Sequence, residues 1–168
     1  MENGFFQSPT YGKLTLQEVR KHILNYMKQS PRNKYRIVIG SDSQPKEEGT
    51  FDFVTALVIH NIGKGGIYFW KRKVKQNGYK HIHFSISRLR ERIYEEATLS
   101  LITASEFLDI VKDDGITKYD VEIHVDVGQF GETREMISEV VGMIRGSGFI
   151  CKTKPDSYGA SKIADRHT

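Results

Sequence analysis

The order of apolar and polar positions divides the chain into an N-terminal helix followed by strands and further helices. Thr15 is placed to cap a helix, with Glu18 three residues later as the reciprocal partner of a capping box. The apolar residues that follow at helical spacing are Leu16, Val19, Ile23, Tyr26 and Met27. Ser30 and Pro31 end this pattern, and the polar, glycine-containing residues 1–12 before it predict a loose arm.

Three extended segments come next. Residues 36–40 predict a strand buried on both faces, because the positions after Arg36 are apolar or small on both faces. Residues 51–60 and 67–75 are rich in β-branched and aromatic side chains, and the glycine-rich turn 61–66 between them predicts a hairpin. We expect the third strand, 67–75, to lie at the edge of the sheet.

Alternating helices and strands complete the pattern. We predict a long helix from Ser85 to about Lys112, a strand at 120–127, a helix at 131–145, a strand at 149–154 and a final helix at 158–167. The connectivity βββαβαβα requires a mixed sheet. The prediction is therefore an α/β fold with a five-stranded mixed sheet of strand order 3-2-1-4-5, flanked by helices, with an extra N-terminal helix.

Length and composition agree with one folded domain. The chain has 168 residues, of which 38% are hydrophobic, enough for one substantial core. We divide it into an arm and helix over 1–34, packed on the core, and a domain over 35–168. The N-terminus lacks the pattern of a signal peptide, no apolar run approaches the ~20 residues of a membrane span, and the single cysteine fits a reducing compartment. These features predict a cytoplasmic protein without a membrane segment.

Positive charge is concentrated in one segment of the chain. Between Lys64 and Arg92 nine Lys or Arg face one Glu, a net charge of +8, so the rest of a chain of net charge +4 carries −4. Such a zone fits a polyanionic ligand such as nucleic acid. The alternative is a solvated edge strand and a salt-bridged helix face.

Two aspartates stand at the ends of strands that the topology brings together. Asp42 follows the first strand, and Asp126 lies near the end of the fourth. Right-handed crossover packing puts these strands side by side, so both carboxylates are expected at the same edge of the sheet. Gly40, on the same face as Asp42, leaves room beside it.

Two further acids lie on helices. With 100° per residue, Glu96 falls at about −60° from Ile93, at the margin of the buried face of the long helix, whereas Glu91 and Glu95 are expected to point to solvent. Asp165 lies in the final helix among small residues that allow close packing.

Clustered carboxylates repel each other unless divalent cations neutralise them, and hard oxygen ligands suit Mg²⁺ or Mn²⁺. Two such ions about 4 Å apart activate water and stabilise the leaving oxygen in phosphodiester hydrolysis. With a basic zone that grips the phosphate backbone, this combination indicates a nuclease acting on RNA or DNA.

The order of elements and acids resembles the ribonuclease H-like superfamily. Three motifs, 39–44, 124–128 and 159–165, resemble more narrowly the bacterial YkuK-type family of that superfamily. The resemblance implies that Asp42, Glu96, Asp126 and Asp165 are the metal-binding, catalytic acids. Glu95 is the alternative to Glu96, and Asp156 is the alternative to Asp165.

Nucleic-acid contacts are expected from Lys71, Arg72 and Lys73, interleaved with the aromatic residues 68–70, and from Lys162. The alternatives are that these lysines protect an edge strand and that Lys162 forms a salt bridge within its helix. A non-catalytic nucleic-acid-binding module and a protein-interaction module are the alternative functions.

Histidines are secondary candidates. We interpret His124 as a packed residue rather than a ligand and His167 as a surface residue, and His81 and His83 as possible proton-transfer groups. Cys151 is expected in the core.

Overall fold

The fold is described from a computed structural model, over residues 4–46, 50–76, 86–112, 119–127 and 134–168. The strands are β1 Phe6–Ser8, β2 Gly12–Leu14, β3 Tyr35–Pro45, β4 Thr50–Asn61, β5 Gly65–Gln76, β6 Tyr119–Val125 and β7 Ile150–Lys152. The helices are α1 Leu16–Lys28, α2 Ile86–Val111 and α3 Arg134–Gly146. A C-terminal helical segment follows, with a π-helical turn at Gly159–Ala164 and a 3-10 turn at Asp165–His167.

All seven strands form one mixed sheet of order β2-β1-β5-β4-β3-β6-β7. Its last five strands have the predicted order, with β3 antiparallel to β4 and parallel to β6. The predicted fold is therefore confirmed, within a sheet that is two strands wider.

The N-terminal arm is the main correction. Residues predicted to be loose form the hairpin β1–β2, and Gln7 of β1 pairs with Trp70 of β5. Hence β5 is not the edge strand that the sequence suggested. The hairpin buries Phe6 and Leu14 in the core, but three-residue strands are too short to show an alternating pattern.

Helix α1 agrees with its sequence signals. Thr15 and Glu18 form the predicted capping box, in which the Thr15 backbone N–H donates to Glu18 Oε2 at 2.7 Å. Val19, Ile23 and Met27 are buried. The predicted starts of the next two helices, at Ser85 and Gly131, lie outside the described residues.

Strand β3 continues five residues beyond its predicted end at Gly40, so Asp42 lies within a strand. The ladder with β4 extends to the pair Pro45–Phe51, because main-chain pairing does not require apolar side chains. Ser41 within this extension is buried, with its hydroxyl 2.8 Å from Thr55 Oγ1 and 2.9 Å from Ser100 Oγ. In contrast, β6 ends at Val125, so Asp126 follows the strand.

The two faces of the sheet differ in what covers them. The helix face, which carries Ile39, Ser41 and Ser43 of β3, packs on α1, α2 and α3 around the main core, which includes Cys151 as predicted. The C-terminal face, which carries Asp42, Val54 and His124, is covered by the C-terminal helical segment. Among the described residues, no helix has the length and apolar character needed to cross a membrane.

Candidate active site

The site lies where β3 and β6 run side by side. The last parallel pair between β3 and β6 is Ser41–Val125, and the next residue of each segment is Asp42 and Asp126, respectively. Asp126 continues the alternation of Glu122 and His124 toward the C-terminal face, where Asp42 also lies. The two aspartates are therefore neighbours at one point of the sheet, as the topology predicted.

The pKa of Asp42 reports on its surroundings. Burial, together with the negative charges of Asp126 and Asp165, raises this pKa to about 6, although the backbone N–H of Ser43 acts in the opposite direction. Asp165 is thus the acid of the C-terminal helical segment that acts on Asp42. Its alternative, Asp156, is exposed in a turn where its N–H donates to Thr153 O at 2.8 Å.

Glu96 approaches from the other side of the sheet. It is only 6% exposed, and its Oε1 accepts a 2.6 Å hydrogen bond from Ser43 Oγ, with Arg92 Nη2 at 3.9 Å. Burial raises the pKa of Glu96 to about 8, and the charges of Asp42 and Asp126 contribute in the same direction. Because neighbouring strand residues point to opposite faces, Glu96 lies on the helix face beside Ser43.

Glu95, the alternative to Glu96, is engaged elsewhere. Its two carboxylate oxygens lie 3.2 Å from Lys73 Nζ and 2.9 Å from Lys75 Nζ. The expectation that Glu95 points to solvent is therefore wrong, because β5 extends far enough to bring its lysines against α2. These ion pairs lower the pKa of Glu95, although burial alone would raise it.

Three of the four predicted acids fit Mg²⁺ or Mn²⁺ by chemistry. Asp42, Asp126 and Asp165 offer hard oxygen donors, and the charges of the last two act on Asp42, a repulsion that a divalent cation would relieve. Asp126 Oδ1 is buried without a well-aligned hydrogen bond, and Lys154 Nζ at 3.0 Å supplies a positive charge beside it. Among the described residues, however, no three His, Cys, Asp or Glu side chains are arranged to hold an ion.

Of the four basic residues predicted to bind nucleic acid, the three consecutive ones on β5 are divided between the two faces of the sheet. On the helix face, Lys71 Nζ lies 2.8 Å from Glu106 Oε2, and Lys73 pairs with Glu95. On the C-terminal face, Arg72 Nη1 lies 3.3 Å from Asp52 Oδ2. Lys162 is exposed and has no ion-pair partner among the described side chains.

The aromatic residues beside these lysines are covered by the protein itself. Phe69 is fully buried, and the ring of Trp70 stacks on His167 with centroids 4.5 Å apart. His167, predicted to be a surface residue, is partly exposed and packs one face of its ring on β5. Burial lowers the pKa of His167.

His124 is a packed residue, as predicted. Its Nδ1 accepts a 3.1 Å hydrogen bond from the Gly159 N–H, which leaves the proton on Nε2, 3.1 Å from Glu122 Oε2. Burial lowers the pKa of His124. The other oxygen of Glu122 lies 3.1 Å from Arg36 Nε, so a buried polar chain anchors the start of the C-terminal helical segment. His81 and His83 lie outside the described residues.

Sequence reasoning missed Asp52, Ser43 and Arg92. Asp52 is 1% exposed on the C-terminal face of β4, and it was signalled only as the lone acid within an apolar strand. Arg92 donates from Nε to Ser43 Oγ at 3.0 Å and from Nη2 to Ser43 O at 2.6 Å. That pairing depends on how α2 packs on β3, which no local pattern reveals.

Comparisons with known proteins agree with this architecture. A family model described as "Ribonuclease H-like" matches residues 18–168. The chain is 32% identical over 177 residues to "Uncharacterized protein YkuK" of Bacillus subtilis (strain 168), an alignment that covers 99% of this chain and 98% of that protein. No solved structure matches. Since the model spans most of the chain and the relative matches almost end to end, the chain belongs to the ribonuclease H-like family and, within it, to the YkuK type.

Proposed function

We propose that this protein is a metal-dependent nuclease that hydrolyses phosphodiester bonds in RNA or DNA by a two-metal mechanism. The observation that carries the proposal is the position of Asp42 and Asp126 just beyond the last parallel pair of β3 and β6, where the charges of Asp126 and Asp165 both act on Asp42. The ribonuclease H-like family, to which the chain belongs, is generally associated with nucleic acid, and this supports the same substrate class.

The residues have distinct tasks in this proposal. Asp42, held in the middle of the sheet, and Asp126, on the neighbouring strand, would hold the metal ions, and Asp165 and Glu96 would complete the set. A pair of bound Mg²⁺ or Mn²⁺ ions supplies activation of water and stabilisation of the leaving oxygen. Lys154 orients Asp126 through its 3.0 Å ion pair, and the half-buried position of Asp42 limits the access of bulk water.

A non-catalytic nucleic-acid-binding module is the second candidate. Glu96 is already engaged by Ser43 and Arg92, and the described acids do not form a three-ligand group. On this alternative the acids are structural, and nucleic acid binds without metal.

Cleavage of labelled RNA, DNA and hybrid strands with Mg²⁺ or Mn²⁺ decides between them. Asp42→Asn should reduce the rate by more than ~100-fold, because loss of even an outer partner of a metal ligand costs about 10- to 100-fold. Asp165→Asn should also impair cleavage, whereas Asp156→Asn, in the exposed turn, is the matched control and should not. No cleavage of any substrate, or equal cleavage by Asp42→Asn, would overturn the proposal.

A further inference from the structure

Arg72 shares a row of the sheet with the acids of the candidate site. It pairs with Val54 across β5 and β4, and Val54 pairs with Asp42 across β4 and β3. Paired residues point to the same face, so Arg72 and Asp42 both lie on the C-terminal face with one strand between them. At about 4.8 Å per strand, their backbones are roughly 10 Å apart.

A buried carboxylate holds Arg72 and a second cation at this place. Asp52 Oδ2 lies 3.3 Å from Arg72 Nη1 and 3.8 Å from Lys46 Nζ, and Asp52 is 1% exposed. Its Oδ1 is buried and has no hydrogen-bond partner among the described residues. Two positive charges therefore converge on one carboxylate oxygen, which leaves an excess of positive charge at the surface above it.

The cations remain accessible while Asp52 orients them. The side chains of Arg72 and Lys46 are 45% and 48% exposed. Arg72 also donates from Nη2 to the carbonyl of His167, so the C-terminal helical segment fixes the guanidinium. A guanidinium has five N–H donors, and the contacts to Asp52 and His167 use two of them, so donors remain for an external oxyanion.

On the C-terminal face, positively charged side chains lie to either side of Asp42 and Asp126. Arg72 lies on β5 and the Lys46 ammonium approaches Asp52 of β4, whereas Lys154 lies on the β6–β7 side, 3.0 Å from Asp126. In contrast, the lysines that neighbour Arg72 in sequence form ion pairs with α2 on the opposite face.

We infer that the cluster of Asp52, Arg72 and Lys46 is a phosphate-binding site that holds the phosphodiester backbone of a nucleic-acid strand across the C-terminal face, toward Asp42 and Asp126. The inference rests on the proposed function for the class of ligand. It also specifies the mode of binding. Trp70, the aromatic side chain next to Arg72 on this face, is stacked on His167, so binding is through the backbone and does not depend on base identity.

Alternation along β5 provides the test. Arg72→Gln, Lys71→Gln and Lys73→Gln each remove one positive charge from adjacent positions, but only Arg72 lies on the C-terminal face. Anisotropy of labelled mixed-sequence single strands is measured in EDTA at several salt concentrations, so that binding is separated from cleavage. Arg72→Gln should raise Kd about 3- to 10-fold and reduce the salt slope by about 1, whereas the two lysine variants should change Kd less than about twofold.

Two further variants keep the test decisive if Arg72→Gln disturbs folding. Lys46→Gln removes an exposed cation at 3.8 Å from Asp52 and should weaken binding in the same direction. Arg72→Lys retains the charge and should preserve the salt slope while losing part of the affinity. Thermal unfolding checks that each variant is folded.

Several results would overturn the inference. One is a loss of affinity in Lys71→Gln or Lys73→Gln as large as that in Arg72→Gln, and another is no loss of affinity in Arg72→Gln and Lys46→Gln. A strong preference among homopolymers would also overturn it, as would competition by polyglutamate that is as effective as competition by DNA. The last result would indicate an acidic protein partner. If binding behaves as expected but no substrate is cleaved, the nuclease proposal is rejected and this site is retained. If cleavage occurs and its rate is unchanged by Arg72→Gln and Lys46→Gln, the nuclease proposal is retained and this site is rejected.

Discussion

At the scale of single residues, the candidate site combines burial with like charge. Glu96 is almost completely buried, beside a single serine hydroxyl and at some distance from the Arg92 guanidinium. Its ionised form is therefore disfavoured in the folded protein, although a metal-binding role requires that form. A buried site that must keep a carboxylate ionised lowers the free energy of unfolding, a cost that is common at functional sites.

This burial makes stability depend on pH. The pKa of Glu96 is about 8 in the folded protein against an ordinary value of 4.5. Between these values the folded state binds a proton that the unfolded state does not, so the free energy of unfolding falls as pH rises through this window. Metal-free Glu96→Gln should therefore be more stable than the parent at about pH 9, by roughly 5 kcal/mol, since the two pKa values differ by several units and each unit is worth about 1.4 kcal/mol.

The measurement is urea unfolding in EDTA at about pH 4.5 and about pH 9, where the variant and the parent should be nearly equal at the lower value. Glu91→Gln, exposed on the same helix, is the matched control and should have no effect at either pH. The prediction fails if Glu96→Gln destabilises the protein at high pH.

At the scale of elements, the C-terminal helical segment determines where Asp165 lies. It crosses β3 at Gly159, where an added Cβ would come within 2.4 Å of Val38 Cγ1 and 3.4 Å of His124 Nδ1. The Gly159 N–H also binds His124, which Glu122 and Arg36 hold in place. A glycine fits this crossing because a methyl group of Val38 and the side chain of His124 occupy the space that a β-carbon would need.

Gly159→Ala should reduce the free energy of unfolding by ~1–3 kcal/mol, the range of overpacking in a tight core. Adding Val38→Ala removes the clashing methyl group, so the double variant should be less destabilised than the sum of the single effects. Gly142→Ala, in the exposed middle of α3 with open space around its Cβ, should instead stabilise by ~0.5–1 kcal/mol. Urea unfolding of the parent, Gly159→Ala, Val38→Ala, their double variant and Gly142→Ala gives these values, and strict additivity of the Gly159 and Val38 effects would contradict the clash.

At the scale of the whole molecule, the N-terminal hairpin and the core form one sheet. β1 covers the edge of β5, and Phe6 contributes one of the largest fully buried side chains. The preceding residue, Phe5, is 52% exposed, with the Lys13 ammonium 4.0 Å from the centre of its ring. The hairpin is therefore part of the folded unit rather than an appendage.

Two adjacent phenylalanines test this conclusion. Phe6→Ala should cost ~3–5 kcal/mol, as expected for a large side chain removed from a core. Phe5→Ala should cost at most about 1 kcal/mol, the contribution of an exposed cation–π contact. Equal midpoints for the two variants in urea unfolding would show that the hairpin adds nothing to global stability.

The sequence by itself determined the features that depend on local periodicity. Alternation and helical spacing identified the five core strands and the capping box of α1, because each signal lies within one element, and the connectivity of these elements then gave the order of the strands. Strand topology then brought Asp42 and Asp126 together, since neighbouring parallel strands end at the same edge. The helical angle of Glu96 likewise identified it, rather than Glu95, as the buried glutamate.

The tertiary structure alone decided which side chains meet. No local pattern indicated that Asp52 gathers Arg72 and Lys46, that Glu96 is held by Ser43, or that His167 covers Trp70. These contacts join residues far apart in the chain, and their partners depend on the register and packing of whole elements. Strand alternation already separates Arg72 from Lys71 and Lys73, but only the packing of the sheet and of α2 decided which carboxylate each of them meets.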